Sequence, residues 1–357
     1  MSMRTNKESF EPEDVPRVPR SRMLTRILIV AAALVLLVGG AAGLFFERQR
    51  VYDRNIQRIP GAFPAEAGRP ARGPGRAENW LLVGSDRRAG QATTGRDANE
   101  SLWRYGAQRA DTIMLVHLPA DRGRVYLVSI PRDSWVPIQG HGHAKINAAF
   151  SFGGPPLLIA TIERLTGVRV DHFAILDFEG LRSITDALGG VDVRVARTVR
   201  DPAHNVVWSA GPQHLDGARA LDFVRQRHNL PGGDLGRIKR QQTFLKALAG
   251  RVVEKGTLAN PLKLNAFLEA FTKAVSVDQS LTTSRLRSLA LQFRSVRAGD
   301  TVFMTAPIAG TGTEGRQSVV YLDRAEDQPL YRALRADALE GYLAGAGGSV
   351  NQVDEVR

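Results

Sequence analysis

The chain has 357 residues, 43% of them hydrophobic, enough to bury one good-sized core in one or two domains. Its formal net charge is +12, but the excess is spread out, with 13 Lys/Arg against 7 Asp/Glu in residues 1–76 and 35 against 29 beyond them. A nucleic-acid binder concentrates such charge in a stripe, so no nucleic-acid partner is expected; the lack of cysteine excludes a disulfide framework, a thiol nucleophile and thiolate-ligated zinc.

Residues 1–26 are polar and carry Pro12, Pro16 and Pro19, which reads as a disordered tail. The uncharged run from Ile27 to Phe46 follows. As a helix it spans roughly 30 Å, the thickness of a bilayer's hydrocarbon core, so a single transmembrane helix is expected at 27–46. A cleaved signal peptide, with an apolar stretch of about 7–15 residues, or a buried core helix are the other readings of such a run. Arg17, Arg20, Arg22 and Arg26 before it balance Arg48, Arg50, Arg54 and Arg58 after it. A short tail ahead of a large domain then favours a cytoplasmic N-terminus and an extracytoplasmic domain at the cell membrane. Residues 47–78 become rich in Pro and Gly and read as a juxtamembrane linker.

A globular domain is expected over 79–343, with a flexible tail at 344–357. Asn79 to Gly84 reads as a short buried strand that breaks at Ser85-Asp86-Arg87-Arg88. The β-branched runs Thr112–Leu118 and Arg124–Ile130, either side of Pro119–Gly123, form a hairpin. Pro155-Pro156 opens a helix that Gly167 closes. A strand over Val168–Leu176, a helix over Phe178–Leu188 ended by Gly189-Gly190 and a strand over Val191–Val195 come next. Helices at 215–225, 236–255, 262–274 and 282–295, strands at 301–306 and 317–322, and a helix from about 326 complete the pattern. The alternation predicts an α/β fold: a mixed central sheet with helices on both faces, an α/β/α sandwich preceded by the transmembrane helix.

Charged residues gather at the ends of the central hairpin. Arg109 and Asp111 precede its first strand, Arg132 and Asp133 follow its second, and Lys145 and Asn147 come soon after, so the register brings all six to one edge. In Leu221–Gln242, Pro231-Gly232-Gly233 interrupts any helix, Asp234 is a natural N-cap, and Arg237, Lys239 and Arg240 load the first turns of the next helix. Cations there oppose the macrodipole by roughly 0.3–1 kcal/mol each. Either they form a solvated basic face, or an anion sits among Arg237, Arg240 and Gln241, at i, i+3 and i+4. Arg225 and Arg227 can serve one site only if the preceding helix ends between them. Arg132, Arg225, Arg227 and Arg237 are expected around one anion, because arginines 8 Å apart repel by roughly 2 kcal/mol per pair without one. Asp86 and Asp111, at strand ends beside arginines, suit Mg²⁺ or Mn²⁺ shared with substrate phosphate, although turns and caps use Asp equally. The histidines show no ligand spacing, and no nucleophile elbow or phosphate-binding glycine loop is present.

These segments together resemble the LytR-CpsA-Psr family of bacterial envelope proteins: Leu82–Asp86, Arg109–Thr112, Ser129–Asp133, His141–Phe150, Asp177-Phe178 with Gly189–Val191, and Leu221–Gln242, in family order over about 79–340. The resemblance implies a phosphotransferase that moves a glycopolymer from a polyprenyl-pyrophosphate carrier to peptidoglycan with the help of Mg²⁺, and a possible pyrophosphatase side activity. It implies metal contact by Asp86 and Asp111. It also implies pyrophosphate contact by Arg88, Arg109, Arg132, Arg225, Arg227, Arg237 and Gln241, with Lys145 at the edge. Apolar faces of the helices around 155–188 and 236–274 would take the lipid; in the plain alternative they are core. A domain that holds the carrier without turnover would show the same arginines. A transcriptional regulator would need a helix-turn-helix, and none is legible. The Arg, Ala and Gly content suits an actinobacterial source.

Overall fold

The computed structural model describes residues 47–86, 109–227, 229–230, 233–253, 260–292 and 297–345. The chain divides into residues 1–50, of which 47–50 are described and helical, and a compact unit from Val51 to Arg357. Among the described residues no helix is long and apolar enough to cross a membrane. The expected tail 1–26 and the span 27–46 lie outside the described residues.

Seven described strands make one sheet: β1 (Gln57–Ile59), β2 (Glu78–Asp86), β3 (Arg109–Leu118), β4 (Val125–Ser129), β5 (His172–Asp177), β6 (Val275–Asp278) and β7 (Thr301–Thr305), in the order β1-β6-β5-β2-β3-β4-β7. The sheet is mixed. β2–β3, β3–β4 and β5–β6 are antiparallel, whereas β2–β5, β1–β6 and β4–β7 are parallel. Its helices are α1 (Ile146–Thr166), α2 (Phe178–Ala187), α3 (Gly217–Arg225), α4 (Asp234–Val253), α5 (Pro261–Ala274), α6 (Thr283–Gln292), α7 (Arg324–Arg335) and α8 (Leu339–Gly345).

Strand side chains alternate between the two faces, and both faces are covered. Leu81, Val83, Ile113, Leu115 and Val128 pack on Leu158, Ile159 and Ile162 of α1 and Leu330 and Leu334 of α7. Met114, Val116, Leu127 and Phe303 face Leu245 of α4 and Leu289 of α6. Burial on both sides explains why these strands read as unbroken apolar runs. The α1 helix starts earlier than Pro155: it runs from Ile146, breaks at Gly153-Gly154, where Gly154 takes φ 62 and ψ −156, and resumes at the two prolines. Gly167, at φ 65, closes it as a left-handed cap.

The stretch expected as a linker is in part built into the domain. β1 adds an edge strand to the sheet, and Ile56, Ile59 and Ala62 are buried. Arg69 grips the buried Glu163 of α1 at 2.7 Å and donates to Val170 O at 2.6 Å, while Arg169 pairs with Glu66 at 2.7 Å. The prolines and glycines of this stretch shape turns that lead between such anchors.

Candidate functional site

The ends of β2, β4 and β5 and the start of β3 share one sheet edge, because β3 runs against β2 and β4. Gly84 pairs with Thr112 and Ser85 with Ala110, so Asp111 is the extra residue of a β-bulge. Bulges re-aim side chains beside active sites, and here the bulge gives Asp111 to the edge. After β4, Ile130 N donates to Ile113 O at 2.9 Å, and Asn147 N at the start of α1 donates to Arg132 O at 3.1 Å. Arg132 is therefore fixed on both sides by backbone bonds.

Arg132 is the hub of the edge. Its guanidinium hydrogen-bonds Asp111, and lies 3.7 Å from Asp133 and 3.5 Å from Asp234. Each of these carboxylates reaches a second cation: Asp111 to Arg227 at 4.0 Å, Asp133 to Lys145 at 3.1 Å and Asp234 to Arg237 at 2.8 Å. Burial works against the charge on Arg132, but Asp111, Asp234 and Asp133 together outweigh it and hold its pKa above the ordinary value. Burial pushes Arg237, only 2% exposed, down to about 10; Asp234 opposes the shift, and Arg132 and Arg227 add to it. Arg237 thus senses the charges of Arg132 and Arg227.

Other residues take the places their elements allow. The α3 helix ends at Gln226, with φ −55 and ψ 133, between Arg225 and Arg227. Arg227 then keeps a half-exposed side chain toward the site, whereas Arg225 lies over the Phe178 ring at 4.0 Å, at the end of β5. Arg109 is exposed at the first position of β3, its backbone paired with Asp86. The side chain of Asp86 and all of Arg88 lie outside the described residues. Gln241 is buried and donates to Val224 O at 3.5 Å, and its neighbour Gln242 ties α4 to Ser129 Oγ at 2.8 Å and Met304 O at 3.0 Å.

Two expectations change. Arg240 does not share the surroundings of Arg237: it is 0% exposed, with its guanidinium 4.5 Å from the Phe223 ring centre and 5.8 Å from that of Trp208. None of its three guanidinium nitrogens has a hydrogen-bond partner among the described residues, and burial pushes its pKa down to about 10. Its ring contacts follow from where that side of α4 meets α3. Second, the arginines do not stand as bare repelling charges, because Asp111, Asp133 and Asp234 are interleaved with them. Asp234 was legible only as a cap, whereas it is the first residue of α4, and its contact with Arg132, more than 100 positions away, is one that no local pattern encodes.

The shortest contacts of Asp111 to Arg132 and to Arg227 both fall on its Oδ1. No group of three or more His, Cys, Asp or Glu among those residues could hold a metal by itself. An Asp111 carboxylate at the sheet edge, beside the end of β2, supplies the oxygen chemistry that suits a hard ion such as Mg²⁺, which keeps waters and borrows phosphate oxygens.

The α/β/α domain thus gathers arginines and carboxylates from distant segments at one sheet edge. The LytR_cpsA_psr family model matches residues 68–332, and the chain belongs to that family. It is 39% identical over 257 residues to the "Probable cell wall biosynthesis protein LcpB" of Corynebacterium glutamicum, covering 72% of this chain and 61% of that protein. LcpA of the same organism, named a cell wall biosynthesis protein, is 33% identical over 359 residues, covering 88% of this chain and 68% of LcpA. The polyisoprenyl-teichoic acid–peptidoglycan teichoic acid transferase TagU of Bacillus cereus is 31% identical over 232 residues, covering 64% and 73%. The chain thus spans about three-fifths of LcpB. Among solved structures, the LytR-Csp2A-Psr enzyme from Actinomyces oris shares the fold, with a TM-score of 0.60 at 23% identity over 79% of this chain and 96% of that one.

Proposed function

We propose that the protein transfers a glycopolymer from a polyprenyl-pyrophosphate carrier to peptidoglycan at the outer face of the cell membrane, anchored by residues 27–46. The observation that carries this reading is Arg132, set among three carboxylates that hold Arg227, Arg237 and Lys145 at the same edge. A pyrophosphate entering there exchanges internal ion pairs for charge-assisted bonds to its own oxygens, and guanidinium forks match phosphate geometry. The names of LcpA and TagU support the cell-wall setting.

In the reaction a sugar hydroxyl of the acceptor forms a bond to the phosphorus that carries the glycan. The bridging bond to the second phosphorus breaks, polyprenyl phosphate leaves, and the hydroxyl's proton passes to the solvent. Little covalent work falls to the protein in such a transfer; positioning and charge stabilisation supply the rate. Arg132, Arg227 and Arg237 clamp the non-bridging oxygens, and Arg109, Arg225 and Gln241 flank them. Asp111 and Asp86 would hold Mg²⁺, which would supply neutralisation of phosphate charge. For the lipid, Leu248, Val252, Phe267 and Phe271 offer half-buried apolar surface around Ile184 and Ala274, starting at Leu176 on the site edge of β5.

The test is transfer of a labelled polyprenyl-pyrophosphate glycan to peptidoglycan with Mg²⁺ present. Arg132→Ala should lose at least about a hundredfold in rate, the order found when a single charge-stabilising group is removed. It should also lower stability by about 3 kcal/mol, because three partly buried carboxylates lose their shared partner. A wild-type protein that binds the carrier but never releases polyprenyl phosphate would be a retention protein, and the transfer reading would fail.

A further inference from the structure

The hairpin between the Arg132 loop and α1 presents a face that the anion site does not use. Trp135–Ile138 pairs antiparallel with Gly142–Lys145, and the alternation is strict. Val136 and Ile138 point into the core, and Ala144 packs against it. Trp135, Pro137, His143 and Lys145 share the opposite face, with Pro137 and His143 exposed and Trp135 partly so. The rings of Trp135 and His143 lie 6.4 Å apart with planes inclined by 30°. Two neighbouring rings, tilted by 30° to each other, thus form an aromatic shelf on one face of the hairpin. Lys145 joins it to the anion site, being the cross-strand partner of Trp135 and the ion-pair partner of Asp133 at 3.1 Å.

We infer that this shelf binds the saccharide of the pyrophosphate-linked donor, with a pyranose ring stacked on Trp135 and its hydroxyls within reach of His143 and Lys145. This rests on the transfer reading above. A pyranose exposes one face of C–H bonds that matches an aromatic ring, and its equatorial hydroxyls call for polar groups at the rim, which His143 and Lys145 supply. Trp135 follows Arg132 by three residues, so their Cα atoms are at most about 11 Å apart, a distance of one to two sugar rings. The donor's sugar is covalently tied to the phosphate that Arg132 would hold. It meets the shelf as an intramolecular event, at high effective concentration. A separate acceptor strand has no such tether, and this favours the donor.

Calorimetric titration of the whole protein with Mg²⁺ tests the inference with two probes: a short polyprenyl pyrophosphate carrying a disaccharide, and the same lipid pyrophosphate without sugar. Trp135→Ala should weaken the sugar-bearing probe roughly tenfold, the scale of one aromatic stacking contact, and leave the sugar-free probe within about twofold. Trp135→Phe should restore most of the loss. His143→Ala, at an exposed position that does not endanger folding, should weaken only the sugar-bearing probe. Equal loss on both probes, or no loss on either, overturns the shelf. So does a raised KM for a soluble peptidoglycan fragment with donor binding intact, which would give the surface to the acceptor. Should the wild type bind neither probe, the transfer reading falls as well, and that failure shows without any variant.

Discussion

Arg237 and Arg240 sit one turn apart on α4, both essentially without solvent and both with a pKa pushed down to about 10 by burial. Their chemistry differs through their partners. Arg237 has Asp234 at 2.8 Å and lies near Arg132, Arg227 and Asp111, whereas Arg240 rests on the rings of Phe223 and Trp208. A cation over an aromatic face gains about 2 kcal/mol when desolvated, which only partly offsets its lost hydration. The charge partner of Arg240 is Asp201, which is itself buried and bonded to His204 at 2.6 Å, so the loss of Arg240 leaves that carboxylate a partner. Arg240→Met is therefore expected to change the urea midpoint only modestly and to leave pyrophosphate affinity within about twofold, while Arg237→Met loses most of that affinity. A folded Arg240→Met protein that no longer bound pyrophosphate would return Arg240 to the anion site. Spacing alone placed these two residues on one side of a helix, which is correct, but whether that side meets water, an anion or a ring depends on α3, which spacing does not describe.

Among the elements, the long strands and helices were legible because each carries its own pattern: β3 and β4 as β-branched runs, α1 and α2 through their glycine stops, α4 through the break before it. Of the short pairs only one partner was, Val191–Val195 in one and Gln317–Leu322 in the other. Ile308–Glu314 alternates glycine and threonine with half-buried positions, and Gly211–Leu215 is mostly polar, so their strands exist through their partners Gln317–Leu322 and Val191–Val195. The far end of β3, opposite the site, joins three elements in a way that pH can probe. His117 Nδ1 lies 2.8 Å from the Asn79 amide of β2 and Nε2 lies 2.9 Å from Asp337, between α7 and α8. Burial lowers the His117 pKa, Asp337 opposes this by hydrogen bond and charge, Arg122 adds to it and Asp171 opposes it. The unfolded chain then binds the proton more readily than the folded one. This contribution to stability is complete above about pH 6.5 and is lost as pH falls below it. Asp171, whose carboxyl burial raises, acts in the opposite sense and in a lower window, from its ordinary 3.8 upward. Melting temperatures should fall between pH 7 and 5.5, and His117→Gln should flatten that slope; a slope unchanged in the variant would assign it to other groups.

For the whole molecule, the main difference from expectation is where the domain begins. The stretch before Glu78 was read as a tether because its Pro and Gly content matches that of linkers, and composition does not report that Ile56, Ile59 and Ala62 have a core to enter. Removing residues 51–78 would take Glu78 and its 2.7 Å ion pair with Arg122 from the start of β2, and would do three further things. It would expose the edge of β6 that β1 now pairs, leaving open backbone groups that invite strand pairing between molecules. It would lose the burial of two isoleucines, about 1.5–3 kcal/mol each. And it would strip Glu163, 3% exposed, of Arg69, a loss of about 3–5 kcal/mol for a broken buried pair. These terms together rival the roughly 5–15 kcal/mol by which an ordinary domain is stable. A fragment from residue 51 to 345 should unfold cooperatively in urea and bind pyrophosphate, whereas one from 79 to 345 should unfold at much lower urea or aggregate. Arg69→Ala in the longer fragment separates the ion-pair contribution from that of the strand: it should lower the midpoint part of the way and leave the protein soluble. Equal midpoints for the two fragments would restore 51–78 to the role of a tether and make the β1 pairing incidental to stability.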